Sequence, residues 1–181
     1  MKKFLFSVLL ILTMVMMPTN VDAKNKVTVY IFRGSTCGHC EEAITYLNEH
    51  KDAINENIEI VTYEVFDNEN NYKLQKAVSE KLKLTEKQMG SVPLIVISDE
   101  YILGFGSGTY NQIMSKAESY IEDEEYEDIV KEEAKELNLK FDSKTLDELF
   151  PEPNKVVTIV VYSIFGAIVL GFAAMIIFSR K

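Results

Sequence analysis

Tryptophan is absent from this chain of 181 residues, and cysteine and histidine occur only twice each. With one cysteine pair and two histidines the chain lacks the two cysteine pairs from which a structural zinc centre is commonly built. A surplus of positive charge is missing too. Nineteen lysines and arginines face 28 aspartates and glutamates, for a net charge of -9. That balance argues against nucleic-acid binding, which rests on clustered lysine and arginine. Internal repeats are also lacking.

Two segments lack charge within their apolar runs, and both bear on where the protein sits. The chain opens "MKKFLFSVLLILTMVMMPTNVDAK". Two lysines precede an apolar run from Phe4 to Met17, and Val21 and Ala23 supply the small residues of a cleavage site. Residues 1–23 therefore read as a secretory signal peptide. Residues 156–178, "VVTIVVYSIFGAIVLGFAAMIIF", carry no charge and are long enough to span a hydrocarbon layer of roughly 30 Å. They are apolar all round, with no polar stripe, unlike the helix of a soluble core. Arg180 and Lys181 follow at once, as expected of a short cytoplasmic tail, residues 179–181. The reading is a single-pass protein of the cell membrane, anchored by a C-terminal transmembrane helix, with its middle outside the cytoplasm. Thiols in such compartments tend to pair.

The middle alternates strands and helices. "VTVYIF", residues 27–32, has the β-branched and aromatic residues of a buried strand. A helix is predicted from the cysteines to about Lys51, with Cys40, Ala43, Ile44 and Leu47 on one face. Residues 58–66 form a second strand, "DNENN" a turn, and residues 72–84 a helix with Leu74, Ala77, Val78 and Leu82 inward. "PLIVIS" enters a third strand through Val92-Pro93, and "YILGF" is its hairpin partner. Thr109 and Gln112 match a capping box that opens a helix running to about Ile121. The order β-α-β-α-β-β-α predicts an α/β domain over residues 24–121, with a mixed central sheet and helices on both faces. Residues 122–155 are strongly acidic, with Ile129, Val130, Ala134 and Leu137 on one side of a predicted helix, and read as a largely helical, solvated spacer and linker, at most docked loosely on the domain, ending in the stiff "PEPNK".

Three readings compete for Cys37 and Cys40. A structural disulfide closing so short a loop is a poor staple, because the gain grows with loop length. A copper or zinc site is the lesser alternative: beyond the pair only His39 is near, since His50 lies at the far end of the same helix. The exported part also lacks methionine or histidine clusters. Redox exchange fits the spacing. Cys37 falls at a helix N-terminus, where backbone N–H groups and the helix dipole stabilise a thiolate. Cys40 lies one turn inward, placed to resolve a mixed disulfide on Cys37. Gly38 is expected to permit the tight turn. His39 is expected to stabilise the thiolate, which favours the dithiol and makes the disulfide form a better oxidant.

"VTVYIFRGSTCGHC", its helix, and "SVP" before a strand resemble the thioredoxin superfamily over roughly residues 26–121. The Gly-His dipeptide between the cysteines is similar to that of protein disulfide isomerase domains. The resemblance implies a thioredoxin-like fold and a thiol–disulfide oxidoreductase. It implies a cis Val92-Pro93 bond, with Pro93 packed against the cysteines and the Val92 backbone pairing with an incoming peptide. No cofactor is implied beyond the Cys37–Cys40 disulfide. The implied partners are exported proteins with cysteines and a membrane redox partner. Three features depart from the family. Ile31 replaces the buried acid six residues before the first cysteine, Thr36 replaces the tryptophan just before it, and Glu41 and Glu42 follow the second. A non-catalytic thioredoxin-like interaction module is the alternative of another class.

Overall fold

Val27–Arg33, "VTVYIFR", is buried over all but its last residue. A strand this apolar on both faces belongs at the centre of a sheet covered on both sides. It is β1, in the middle of a five-stranded sheet of order β4-β3-β1-β2-β5. The structure, a computed structural model, describes residues 24–151 and 163–164. The expected signal peptide, linker residues 152–155, the cytoplasmic tail and all of the expected transmembrane segment except 163–164 lie outside the described residues. Among the described residues no helix is long and apolar enough to cross a membrane.

β2 (Ile58–Glu64) runs parallel to β1, with Val27 beside Ile58 and Arg33 beside Glu64. The crossover between them is α1 (Gly38–Glu49). α2 (Glu69–Lys81) leads to β3 (Leu94–Ile97), which is antiparallel to β1, and a tight turn at Ser98–Asp99 returns as β4 (Glu100–Leu103). α3 (Thr109–Ser119) follows. The predicted order holds to this point, and the helices do cover both faces. Val29, Ile31, Ile60 and Ile95 pack with Leu47 of α1 and Ile113 of α3 on one side. Tyr30, Phe32, Tyr63 and Val96 pack with Leu74 and Val78 of α2 on the other.

Three expectations need correction. α2 begins at Glu69, inside the expected turn, because the Asn68 side chain accepts the Asn71 N–H at 3.0 Å and caps the helix there. The Thr109/Gln112 capping box does not form. Gly108, at φ 85°, is the cap residue of α3, and the Thr109 hydroxyl instead accepts from Gly106 N at 3.1 Å. Left-handed backbone at that position suits glycine, and it removes threonine from the place where its oxygen could reach the third turn amide.

The acidic segment is the third. The helix read over Ile129, Val130, Ala134 and Leu137 is present, but the described part of the segment is tied into the sheet and not merely solvated or loosely docked. α4 (Ile129–Leu137) buries Ile129 and Val130 against the α2 side of the core. β5 (Ser143–Thr145) then pairs antiparallel with β2, Val61 opposite Thr145 and Tyr63 opposite Ser143. α5 (Leu146–Leu149) closes with Leu146 in the opposite cluster. Residues 143–145 thus cover an edge of β2 that would otherwise expose unpaired backbone groups.

Candidate active site

Cys37 is the N-cap of α1, with extended backbone (φ -94°, ψ 107°). Its carbonyl accepts the N–H groups of Cys40 and Glu41, each at 3.0 Å, and its Sγ accepts the Cys40 N–H at 3.2 Å. The sulfur thus occupies the place where capping side chains normally satisfy the free amides of a helix start. Cys37 is half-buried, while Cys40 is 1% exposed. The two form a disulfide with their Cα atoms 5.2 Å apart. The predicted helical face explains the difference: Cys40, Ala43 and Leu47 all point into the core.

The Val92–Pro93 peptide bond is cis, and the Val92 carbonyl oxygen lies 3.8 Å from Cys37 Sγ. Pro93 is buried. The loop is pinned on both sides of Val92. Gln75 Nε2 donates to Ser91 O at 2.9 Å, and Pro93 O accepts Gly104 N at 2.8 Å. The sequence-predicted residues Cys37, Cys40, Val92 and Pro93 therefore meet at one place.

The intervening dipeptide is less constrained than expected. A Cβ at Gly38 would meet nothing within 4 Å, and its backbone is not left-handed. The turn does not require glycine, so the expected role of Gly38 in permitting it is corrected. His39 is on the surface, its side chain 77% exposed, with Nδ1 3.6 Å from Glu42 Oε2. Ile31, where thioredoxins carry an acid, is fully buried and gives no proton acceptor. His50 stacks on Tyr46 at 4.2 Å between ring centres, and its Nδ1 is 2.8 Å from Tyr46 O. It serves the far end of α1. Among the described residues no group of three or more histidine, cysteine or acidic side chains is gathered for a metal ion.

Several residues around the site were not anticipated. Glu64, at the end of β2, accepts three backbone amides: Ser35 N at 3.0 Å, Phe66 N at 2.8 Å and Asp67 N at 2.9 Å. Ser35 Oγ also donates to Asp67 Oδ2 at 2.7 Å. These bonds tie the loop that carries Cys37 to the loop after β2. The available signal was positional. An acid at the carboxyl end of a parallel strand faces the crevice where α/β sheets build their sites. Gln75 is part of a buried polar row on α2, Asn71, Gln75 and Ser79, invisible to a search for apolar spacing.

With this geometry in hand, comparison with known families is informative. Residues 27–102 match the glutaredoxin family. This region is a glutaredoxin-like domain, consistent with the thioredoxin superfamily. No curated protein and no solved structure matches the chain. The glutaredoxin-like domain with its paired Cys37 and Cys40 supports a thiol–disulfide redox role in general.

Proposed function

We propose that the protein is a membrane-tethered, extracytoplasmic thiol–disulfide oxidoreductase that acts on protein cysteines as an oxidase or isomerase. The observation that carries the reading is the placement of Cys37 as the cap of α1, half-open beside Val92, with Cys40 buried one turn below. A substrate thiolate attacks Cys37 Sγ, the Cys37–Cys40 bond breaks, and Cys40 leaves as a thiolate that takes up a proton. A second substrate thiolate then attacks the sulfur of the substrate cysteine bound to Cys37. The substrate leaves with a disulfide, and Cys37 leaves as a thiolate held at the helix N-terminus. Two electrons have passed to the pair, which now holds one proton on Cys40, and a disulfide-bearing membrane partner must accept the two electrons to restore the oxidised form. In the isomerase mode Cys37 attacks a substrate disulfide and is later displaced by another substrate thiol.

The N-terminal amides of α1 favour the Cys37 thiolate as leaving group. His39, one residue inside the helix, adds to that stabilisation when protonated, and the absence of a side chain at Gly38 leaves the approach to Cys37 open. The Val92 backbone pairs with the incoming chain. Tethering rests on the apolar segment 156–178, and export on residues 1–23.

The test is trapping in cells. Cys40→Ala should accumulate mixed disulfides on Cys37 that dissolve on reduction, and the captured proteins should be exported ones. Absence of such adducts, with Cys37→Ala leaving the cellular phenotype unchanged, would favour a non-catalytic interaction module instead.

A further inference from the structure

Phe66 and Tyr72 are large aromatic side chains left 52% and 47% exposed. Both touch the loops that build the redox site. A Cβ placed on Gly34 would run into the Phe66 ring, so that ring lies directly on the backbone three residues before Cys37. A Cβ on Gly90 would sit 3.9 Å from Tyr72 Cε2 and from its hydroxyl oxygen, two residues before Val92. Phe66 thus lies against the cysteine loop and Tyr72 near the proline loop. Together with Val65, Asp67 and Glu69 they line a shallow, open groove of about 480 Å³.

The groove's charge is one-sided. Its lining holds two carboxylates and neither lysine nor arginine. Glu69 is partly neutralised by Lys73, 2.7 Å away. Asp67 accepts the Ser35 hydroxyl on one oxygen, and on its other side it lines a second pocket that holds Arg33 and Lys144. On the α1 side of the cysteines, Glu41 and Glu42 are exposed as well. Aromatic faces beside carboxylates are complementary to an apolar side chain next to a cation, and guanidinium or ammonium groups also rest on such faces.

We infer that this groove continues the substrate cleft and selects its occupant. The occupant is an extended, cationic segment of unfolded polypeptide, with a bulky apolar side chain on Phe66 and Tyr72 and a lysine or arginine directed at Asp67, close to its reacting cysteine. This deepens the proposed oxidoreductase reading and rests on it. A folded acidic surface is excluded by repulsion from Asp67, Glu41 and Glu42.

The experiment uses the oxidised full chain purified in detergent. Its rate of reaction is measured with dithiothreitol and with three short cysteine peptides flanked by Phe-Arg, by Ser-Ser or by Phe-Glu. Each peptide rate is divided by that peptide's rate with a small aromatic disulfide, which removes differences in thiol acidity. The expected result is that the Phe-Arg peptide reacts about tenfold faster than the Ser-Ser peptide, a gap of about 1.4 kcal/mol. The Phe-Glu peptide should be the slowest, and its gap to Phe-Arg should narrow as salt rises. In F66S/Y72S the Phe-Arg over Ser-Ser ratio should fall towards one, and in D67N the Phe-Arg over Phe-Glu ratio should shrink. Equal rates for the three wild-type peptides, or unchanged ratios in the folded variants, overturn the inference. Failure to react even with dithiothreitol overturns the oxidoreductase reading beneath it.

Discussion

The glutaredoxin-like part of the chain and the acidic segment after α3 are attached to the same sheet by different mixtures of apolar and polar contact. Residues 27–102 are held by an interior of fully buried aliphatic side chains, Val29, Ile31, Leu74, Leu94 and Ile95 among them. Residues 122–150 bury Ile129, Val130 and Leu146 in that interior and pack Tyr126, Ala134, Leu137 and Phe141 against it, partly buried. Hydrogen bonds to buried positions carry much of the rest. Tyr30 donates to Asp128 Oδ2 at 2.8 Å, and Thr28 N donates to the Tyr126 hydroxyl at 3.1 Å. The fully buried Asn71 donates to Asp142 O at 2.7 Å and accepts from Asp142 N at 3.1 Å, and Asn70 reaches Lys140 O at 3.0 Å. Asp128 serves twice, since its other oxygen caps α4 through Lys131 N. A segment rich in like charge is thus docked by a short apolar seam together with a few hydrogen bonds drawn from buried positions of its neighbour.

The largest effect that separates the two modes should come from Leu74→Ala. Truncating a buried leucine leaves a cavity and costs about 2–5 kcal/mol. Chemical denaturation should show both regions unfolding together at lower denaturant. Asn71→Ala should cost less, about 1–3 kcal/mol, because Glu64 O and both backbone groups of Asp142 lose a buried partner. Here the loss should be local. Hydrogen exchange should speed up first in β5 and α5, while β1 and β3 keep their protection. Uniform loss across the sheet would show that the acidic segment is no weaker a unit than the core.

Tyr30→Phe comes next, at about 1–2 kcal/mol for a hydrogen bond to a carboxylate. It also carries a pH signature. Burial first, and then the Asp128 charge, hold the Tyr30 phenol proton well above its ordinary value of 10.0. The folded state therefore binds the proton more tightly than the unfolded chain. The resulting stabilisation is complete below about pH 10 and is lost as pH rises above it. Denaturation midpoints should fall with alkaline pH, and less steeply in Tyr30→Phe. Tyr63, raised by burial and by the same aspartate, keeps part of the slope. The smallest structural effect should be His39→Ala. Stability should move by less than about 0.5 kcal/mol at so exposed a site. The reduction potential should drop, by up to about 30 mV if one unit of thiolate stabilisation is lost.

The same contrast explains what could be read from the chain alone. β1 and β3 announced themselves as continuous apolar runs, β2 by its β-branched and aromatic residues between polar ones, and α1 because Cys40, Ala43 and Leu47 repeat at helical spacing. Cys37 and Cys40 were legible from a short motif, and the cis Val92–Pro93 bond only through the family resemblance. The docking of residues 122–150 was not, since Asn71, Tyr30 and Asp128 look like surface residues until their partners, 71 to 98 positions away, are known. Capping motifs show the limit of local pattern. Thr109 with Gln112 and Thr145 with Glu148 carry the same signature, yet only the second forms a box. The first was displaced by the glycine just before it. Phe66 and Tyr72 were hidden for another reason: strand and helix patterns assign aromatics inward, and only the fold shows which remain outside.

The account as a whole turns on the thiolate of Cys37. In Cys40→Ala, the alkylation rate of the remaining thiol should be followed against pH. A sulfur capping α1 should titrate well below the ordinary free thiol, near 8.5, and should exchange with a model disulfide at neutral pH. A midpoint at the ordinary value, together with no exchange, would contradict it.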